Sequence, residues 1–160
     1  MPTLPQLIEE DIQQLDRILQ DLITHTEATT VLTIDKGGFL ITHCGESEQF
    51  DLTTIAALAS GAYLANQTIA NLVHEENFDS VYQQGEKISM FVLNVDEHCL
   101  LVLIFRAAIS VGAVKYFALG ASPRIARQLQ AAQARDPSGG LDLSVLNLAD
   151  PSDLFRRKSA

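Results

Sequence analysis

Four histidines and two cysteines are the residues best suited to chemistry, and they include two adjacent pairs, His43-Cys44 and His98-Cys99. Both residue types ligate zinc. Each pair falls at or beside a stretch that reads as a strand, where neighbouring side chains point to opposite faces. One dipeptide therefore cannot easily offer both ligands to one ion. No C-x-x-C or H-x-x-x-H accompanies them. A cysteine nucleophile needs a base within reach, and the same alternation turns His98 away from Cys99. Ser47, Ser60 and Ser110 lack the strand–elbow–helix setting of G-x-S-x-G. Asp35-Lys36-Gly37-Gly38 has glycines but not the G-x-x-x-x-G-K-[ST] pattern of a phosphate loop. Arg106 invites comparison with an arginine finger, but it equally serves as the polar stop of a buried strand. No catalytic residue, metal or cofactor is assigned, and the inventory is that of a binding module.

These residues sit on a legible series of elements. Ala28 to Gly45 (ATTVLTIDKGGFLITHCG) reads as a hairpin: β-branched and apolar runs flank a turn whose glycines tolerate positive φ. Before it, Leu4, Ile8, Ile12, Leu15, Leu19 and Leu22 recur at helical steps, so a helix is expected from about Leu4 to about Thr24. Thr3 is its expected cap and Pro5 lies in its first turn. Its single apolar stripe covers either its own sheet or a partner chain.

A second helix is expected from Asp51 or Thr53 to about His74. One face carries Leu52, Ile55, Ala59, Ala62, Asn66, Ile69 and Val73, and another carries Ala57, Gly61, Leu64 and Thr68. Small residues at Ala57, Ser60 and Gly61 let another backbone approach closely. That backbone belongs either to its own sheet or to a protein partner. Three strands follow, Ser80–Gln84, Ile88–Val95 and Cys99–Arg106, joined by short polar turns as an antiparallel meander. The apolar run of the third, CLLVLIF, implies burial on both faces in mid-sheet. Ser110 to Leu119 fits helix or strand, and Gly120 and Pro123 interrupt either pattern. Ser122-Pro123 reads as the start of a last helix, with Ile125, Leu129 and Ala132 inside and Arg124, Arg127 and Arg135 outside. Residues 136–160 read as a C-terminal tail, either disordered or partner-binding.

A chain of 160 residues with 47% hydrophobic residues is long and apolar enough for one domain with a sizeable core. No apolar run reaches membrane-spanning length. The acidic N-terminus, MPTLPQLIEEDIQQ, does not read as a secretory signal. The two cysteines then suggest reduced thiols and a cytoplasmic setting. Net charge is −9, with 16 acidic and 3 basic residues in 1–100 but 4 acidic and 8 basic in 101–160. That acidic balance disfavours nucleic acid as a partner.

The order helix, two strands, helix, three strands, helix resembles the Roadblock/LC7 family, in its bacterial MglB-like branch. VLTIDKGGFLI at 31–41, LTTIAALASGAYLANQTIANL at 52–72, VYQQGEKISMFVLNVDEHCLLVLIF at 81–105 and SVGAVKYFA at 110–118 carry the resemblance. It implies a Roadblock/LC7 domain over 1–135 with an α/β fold, a profilin-like α/β/α sandwich around a five-stranded antiparallel sheet. It also implies a homodimer that binds a small Ras-like GTPase and modulates its nucleotide state without being an enzyme. A scaffold or adaptor for other complexes is the alternative, and a small-ligand sensor or enzyme using a pocket beside Cys99 and His98 is a third. On this reading Leu52, Ile55, Ala59, Tyr63 and Val81 form the dimer interface. Ala57, Ser60, Gly61 and Leu64 form the GTPase-binding patch.

Overall fold

In the computed structural model, residues 4–135 are described. Helix α1 (Glu9–Thr26) is followed by strands β1 (Thr30–Asp35) and β2 (Leu40–Gly45) and by helix α2 (Leu52–Leu72). Strands β3 (Ser80–Gln83), β4 (Ile88–Asn94) and β5 (Cys99–Arg106) come next, and helix α3 (Val111–Gln133) closes the order. The strands form one antiparallel sheet in the order β2-β1-β5-β4-β3. The expected element order and central β5 are both present. The whole of Cys99–Phe105 is buried because each face of β5 meets helices.

Alternation along β5 splits the core in two. Leu101, Leu103 and Phe105 face α1 and α3, with Phe91 and Leu93 from β4. Leu100, Val102 and Ile104 face α2, with Leu32 and Ile34 from β1. The β1–β5 register sets Thr30 opposite Ile104 and Asp35 opposite Cys99. The β1–β2 hairpin carries a bulge after Thr33, where the Thr33 and Thr42 hydroxyls lie 2.6 Å apart and bond across the pair.

Helix α1 starts at Glu9 rather than near Leu4, and its cap is not Thr3. The Asp11 carboxylate accepts from the Ile8 N–H at 2.9 Å, satisfying a donor at the helix start. Leu15, Ile18, Leu19 and Leu22 are buried against the chain's own sheet and α3, which decides between the two covers open for this stripe.

Helix α3 is a single element running through Gly120 and Pro123, where an interruption and a fresh start at Ser122 are expected from the sequence. Val114, Ala118, Ala121, Ile125, Leu129 and Ala132 form one buried stripe across the supposed break. Pro123 removes one N–H from the helix, but it lies on the exposed side, as does Leu119 one turn earlier. Tertiary burial along one face therefore outweighs one missing bond. Arg135 does not face solvent alone. It clamps the fully buried Asp11 with Nη1–Oδ2 at 2.7 Å and Nη2–Oδ1 at 3.0 Å. Gln128 Nε2 donates to the same carboxylate at 2.7 Å. This clamp and the Arg124–Asp21 ion pair at 3.3 Å set α1 and α3 antiparallel.

Candidate protein-interaction surface

Helix α2 is capped by Asp51, whose carboxylate accepts from the Thr54 N–H at 3.1 Å and from its hydroxyl at 2.6 Å. Those bonds hold the Asp51 carboxyl below the usual carboxylate range. Leu52, Ala56, Ala59, Ser60, Tyr63 and Ala70 are buried. Leu52, Ala59 and Tyr63 pack into the core formed with β1, β4 and β5, and Ile55 is half-buried against it. Leu52, Ala59 and Tyr63 are thus taken up largely by the chain's own core, while Ile55 keeps part of its surface exposed. The buried stripe takes in Ala56, Ser60 and Tyr63 with Leu52 and Ala59, one position away from much of the face drawn from sequence.

The small residues divide in the same way. Ser60 is buried and its hydroxyl donates to the Lys36 carbonyl in the β1–β2 turn, so it belongs to no exposed patch. Ala57 is exposed, yet its smallness already serves the hairpin. A Cβ on Gly38, which has φ +99°, would lie 3.4 Å from the Ala57 Cα. Gly61 differs from both, because a Cβ there meets nothing within 4 Å. Nothing in its own fold requires a glycine, although glycine in a helix interior costs about 1 kcal/mol relative to alanine.

The outward face around Gly61 is apolar. Leu58 is 68% exposed, Leu72 75% and Val73 58%, with Leu64 at 43% and Ile69 at 48%. No charged residue occurs from Leu52 to Val73. A solvated helix face normally carries charges opposite its buried stripe. Large exposed apolar patches mark interaction sites. Leu58 and Leu72 were missed at the sequence level, although the absence of charge over the whole helix was the signal that could have found them.

At one end of the sheet lies β3, an edge strand. Val81 is half-buried on it, and Tyr82, 38% exposed, stacks on Phe105 with ring centroids 6.3 Å apart. An edge strand presents unpaired backbone groups to a pairing partner. The turns at the neighbouring sheet end add Asp35, Lys36, Asp96 and Glu97. Lys36 Nζ sits 5.6 Å from the Tyr63 ring centroid. Burial pulls the Lys36 ammonium down from its usual range, against the Asp96 and Glu97 charges that raise it. Burial, aided by the Asp79 charge, pushes the Tyr63 phenol up.

The cysteine–histidine pair offers no nucleophile. Cys99 is fully buried, and desolvation drives its thiol far up. His98 is also buried, and its ring lies 3.3 Å from Glu97 Oε1 without hydrogen-bond geometry. Among the described residues no three His, Cys, Asp or Glu gather where a metal could be held. No helix there is long and apolar enough to cross a membrane.

A family model, the Roadblock/LC7 domain, matches residues 14–105, more than half of the chain. The chain belongs to the Roadblock/LC7 family. Its solved neighbours place it in the MglB-like branch. It is 28% identical to "MglB with tetrameric arrangement", with a TM-score of 0.77, covering 82% of this chain and 99% of that one. It is 29% identical to the gliding protein MglB of Thermus thermophilus, with a TM-score of 0.76 and the same coverage. Acanthamoeba castellanii profilin II, at 13% identity and a TM-score of 0.52 over 71% of this chain and 98% of that one, shares the fold alone. The profilin-like sandwich is therefore present. No curated protein matches the chain.

Proposed function

We propose that this Roadblock/LC7 chain is a cytoplasmic, non-enzymatic homodimer that binds a small Ras-like GTPase and biases its nucleotide state. The observation carrying this reading is the uncharged outward face of α2, with Leu58, Leu64 and Leu72 uncovered and Gly61 open to a close approach. The edge strand β3 offers a second surface for association. Pairing through α2 and β3, with Val81 at the joined edge, forms the dimer, and Ala57, Gly61 and Leu64 remain the GTPase-facing positions. Regulation is by differential affinity: the dimer binds one arrangement of the switch loops more tightly and shifts the population toward it. Such a mechanism needs no catalytic side chain from this protein.

The test uses a purified small Ras-like GTPase from the same genome, loaded with GDP or with a non-hydrolysable GTP analogue, titrated against the dimer. The expected result is tighter binding to one nucleotide state and a changed hydrolysis or exchange rate. Gly61→Arg is expected to abolish binding while the far-ultraviolet circular dichroism is retained, because its side chain projects into open space. Nucleotide-indifferent capture of unrelated proteins through the same face would move the assignment to a scaffold.

A further inference from the structure

Charge around α2 has one sign. No lysine or arginine occurs between Lys36 and Lys87, the stretch that holds β2, α2 and β3. Glu46, Glu48 and Asp51 precede the helix, and Glu75, Glu76 and Asp79 follow it. All are exposed except Glu46, which is half-buried. With 21 residues α2 is about 30 Å long, so acids stand at both ends of its uncharged, apolar outward face. The cations that bound this stretch do not offset them. Lys36 is half-buried, its Nζ lies 5.6 Å from the Tyr63 ring, and the Asp96 and Glu97 charges already act on it. Lys87 and Arg106 lie at the opposite end of the sheet: the Lys36 N–H donates to the His98 carbonyl at the start of β5, and the Ala107 N–H to the Lys87 carbonyl at its end. The other lysines and arginines among the described residues are on α1, or on and just after α3, across the sheet.

We propose that the partner docking on α2 presents an apolar contact patch flanked by basic side chains, and that its cations are steered onto the acids at the two ends of the helix. This rests on the GTPase reading above and names the surface that the GTPase must present. The argument is charge complementarity. An acidic partner surface is repelled at both ends of α2, whereas a basic one is drawn in. A second copy paired through α2 brings the same acids and no cation, so it strengthens the negative potential and leaves the complement for the GTPase to supply. Burial of Leu58, Leu64 and Leu72 holds the complex together. Exposed ion pairs add little to affinity, so the acids act mainly on the rate of encounter.

The test is stopped-flow association of the full chain with the purified Ras-like GTPase of the same genome, loaded with fluorescent GDP or a fluorescent non-hydrolysable GTP analogue. Between about 0.05 M and about 0.5 M sodium chloride, association is expected to slow by about tenfold, and dissociation to change by less than about twofold. Glu75→Gln, Glu76→Gln and Asp79→Asn together should slow association by about threefold at low salt and flatten its salt dependence. Glu46→Gln with Glu48→Gln, before the helix, should act in the same direction. Asp51 is left intact because it caps α2. Glu9→Gln, Glu10→Gln and Glu27→Gln remove three exposed charges from α1 and its end, and should leave the rate nearly unchanged. Binding at a rate indifferent to salt and to both α2 variants overturns the proposal and leaves the GTPase reading standing. Equal slowing by the α1 set overturns it in favour of net charge. No binding in either nucleotide state overturns the GTPase reading and the proposal with it.

Discussion

Asp11 offers the sharpest perturbation. Its carboxylate has no solvent exposure and accepts four hydrogen bonds: two from Arg135, one from Gln128 and one from the Ile8 backbone. It therefore starts α1 and ties it to the last turn of α3. Asp11→Ala removes the helix-start bond and leaves Arg135 unpaired. Breaking a buried ion pair costs about 3–5 kcal/mol. The low end applies because the Arg135 side chain is 35% exposed and regains water. The expected loss is about 3 kcal/mol, or a fall of roughly 6–12 °C in Tm for a chain of this size. Urea unfolding of both proteins at neutral pH reads it directly. The Arg135 bonds hold the Asp11 carboxyl below its usual range, overcoming the burial that raises it. A depressed folded pKa means that the stabilisation is fully present above the unfolded value of about 4 and is lost as pH falls through the folded value. The gap between wild type and Asp11→Asn should thus narrow in acid. A loss below about 1 kcal/mol at neutral pH, the scale of an exposed pair, would refute the reasoning.

Two glycine substitutions should move in opposite directions. Gly38→Ala meets the Ala57 backbone at a positive φ and should destabilise by about 1–2 kcal/mol. Gly61→Ala meets no atom and should stabilise the protomer by about 1 kcal/mol, while titration against the GTPase shows weaker binding. Thermal unfolding at low protein concentration separates the two. Thiol titration with a chromogenic disulfide should find Cys99 unreactive in the native protein and both thiols reactive in denaturant. Cys99 is fully buried and its thiol is pushed up by desolvation. Rapid native labelling of Cys99 would show that β5 opens.

Much of the fold was legible because the strands are punctuated by turn chemistry and β5 is apolar without alternation. The sequence hairpin at 28–45 and the meander at 80–106 reappear with ends shifted by one or two residues. Phase on α2 was harder. Leu52, Ala59 and Tyr63 are apolar on a helix apolar nearly all round, so periodicity alone could not say which side meets the sheet. The α3 boundary failed for another reason: local propensity at Gly120 and Pro123 argues for a break, and only the facing α1 and β4 side chains make continuity worthwhile. Arg135 and Asp11 are 124 residues apart, and no local pattern joins them. The expectations for residues 136–160 lie outside the described residues.

The sheet order also bears on how the chain leaves the ribosome. Strand β1 is buried between β2 and β5, and β5 ends at Arg106, about 70 residues after Asp35. At 5–20 residues per second, roughly 4–14 s pass before that neighbour is synthesised. Over that interval Val31, Leu32 and Ile34 belong to a two-stranded hairpin that is marginal in water. A nascent chain halted within that window should be a better chaperone client than one released after β5.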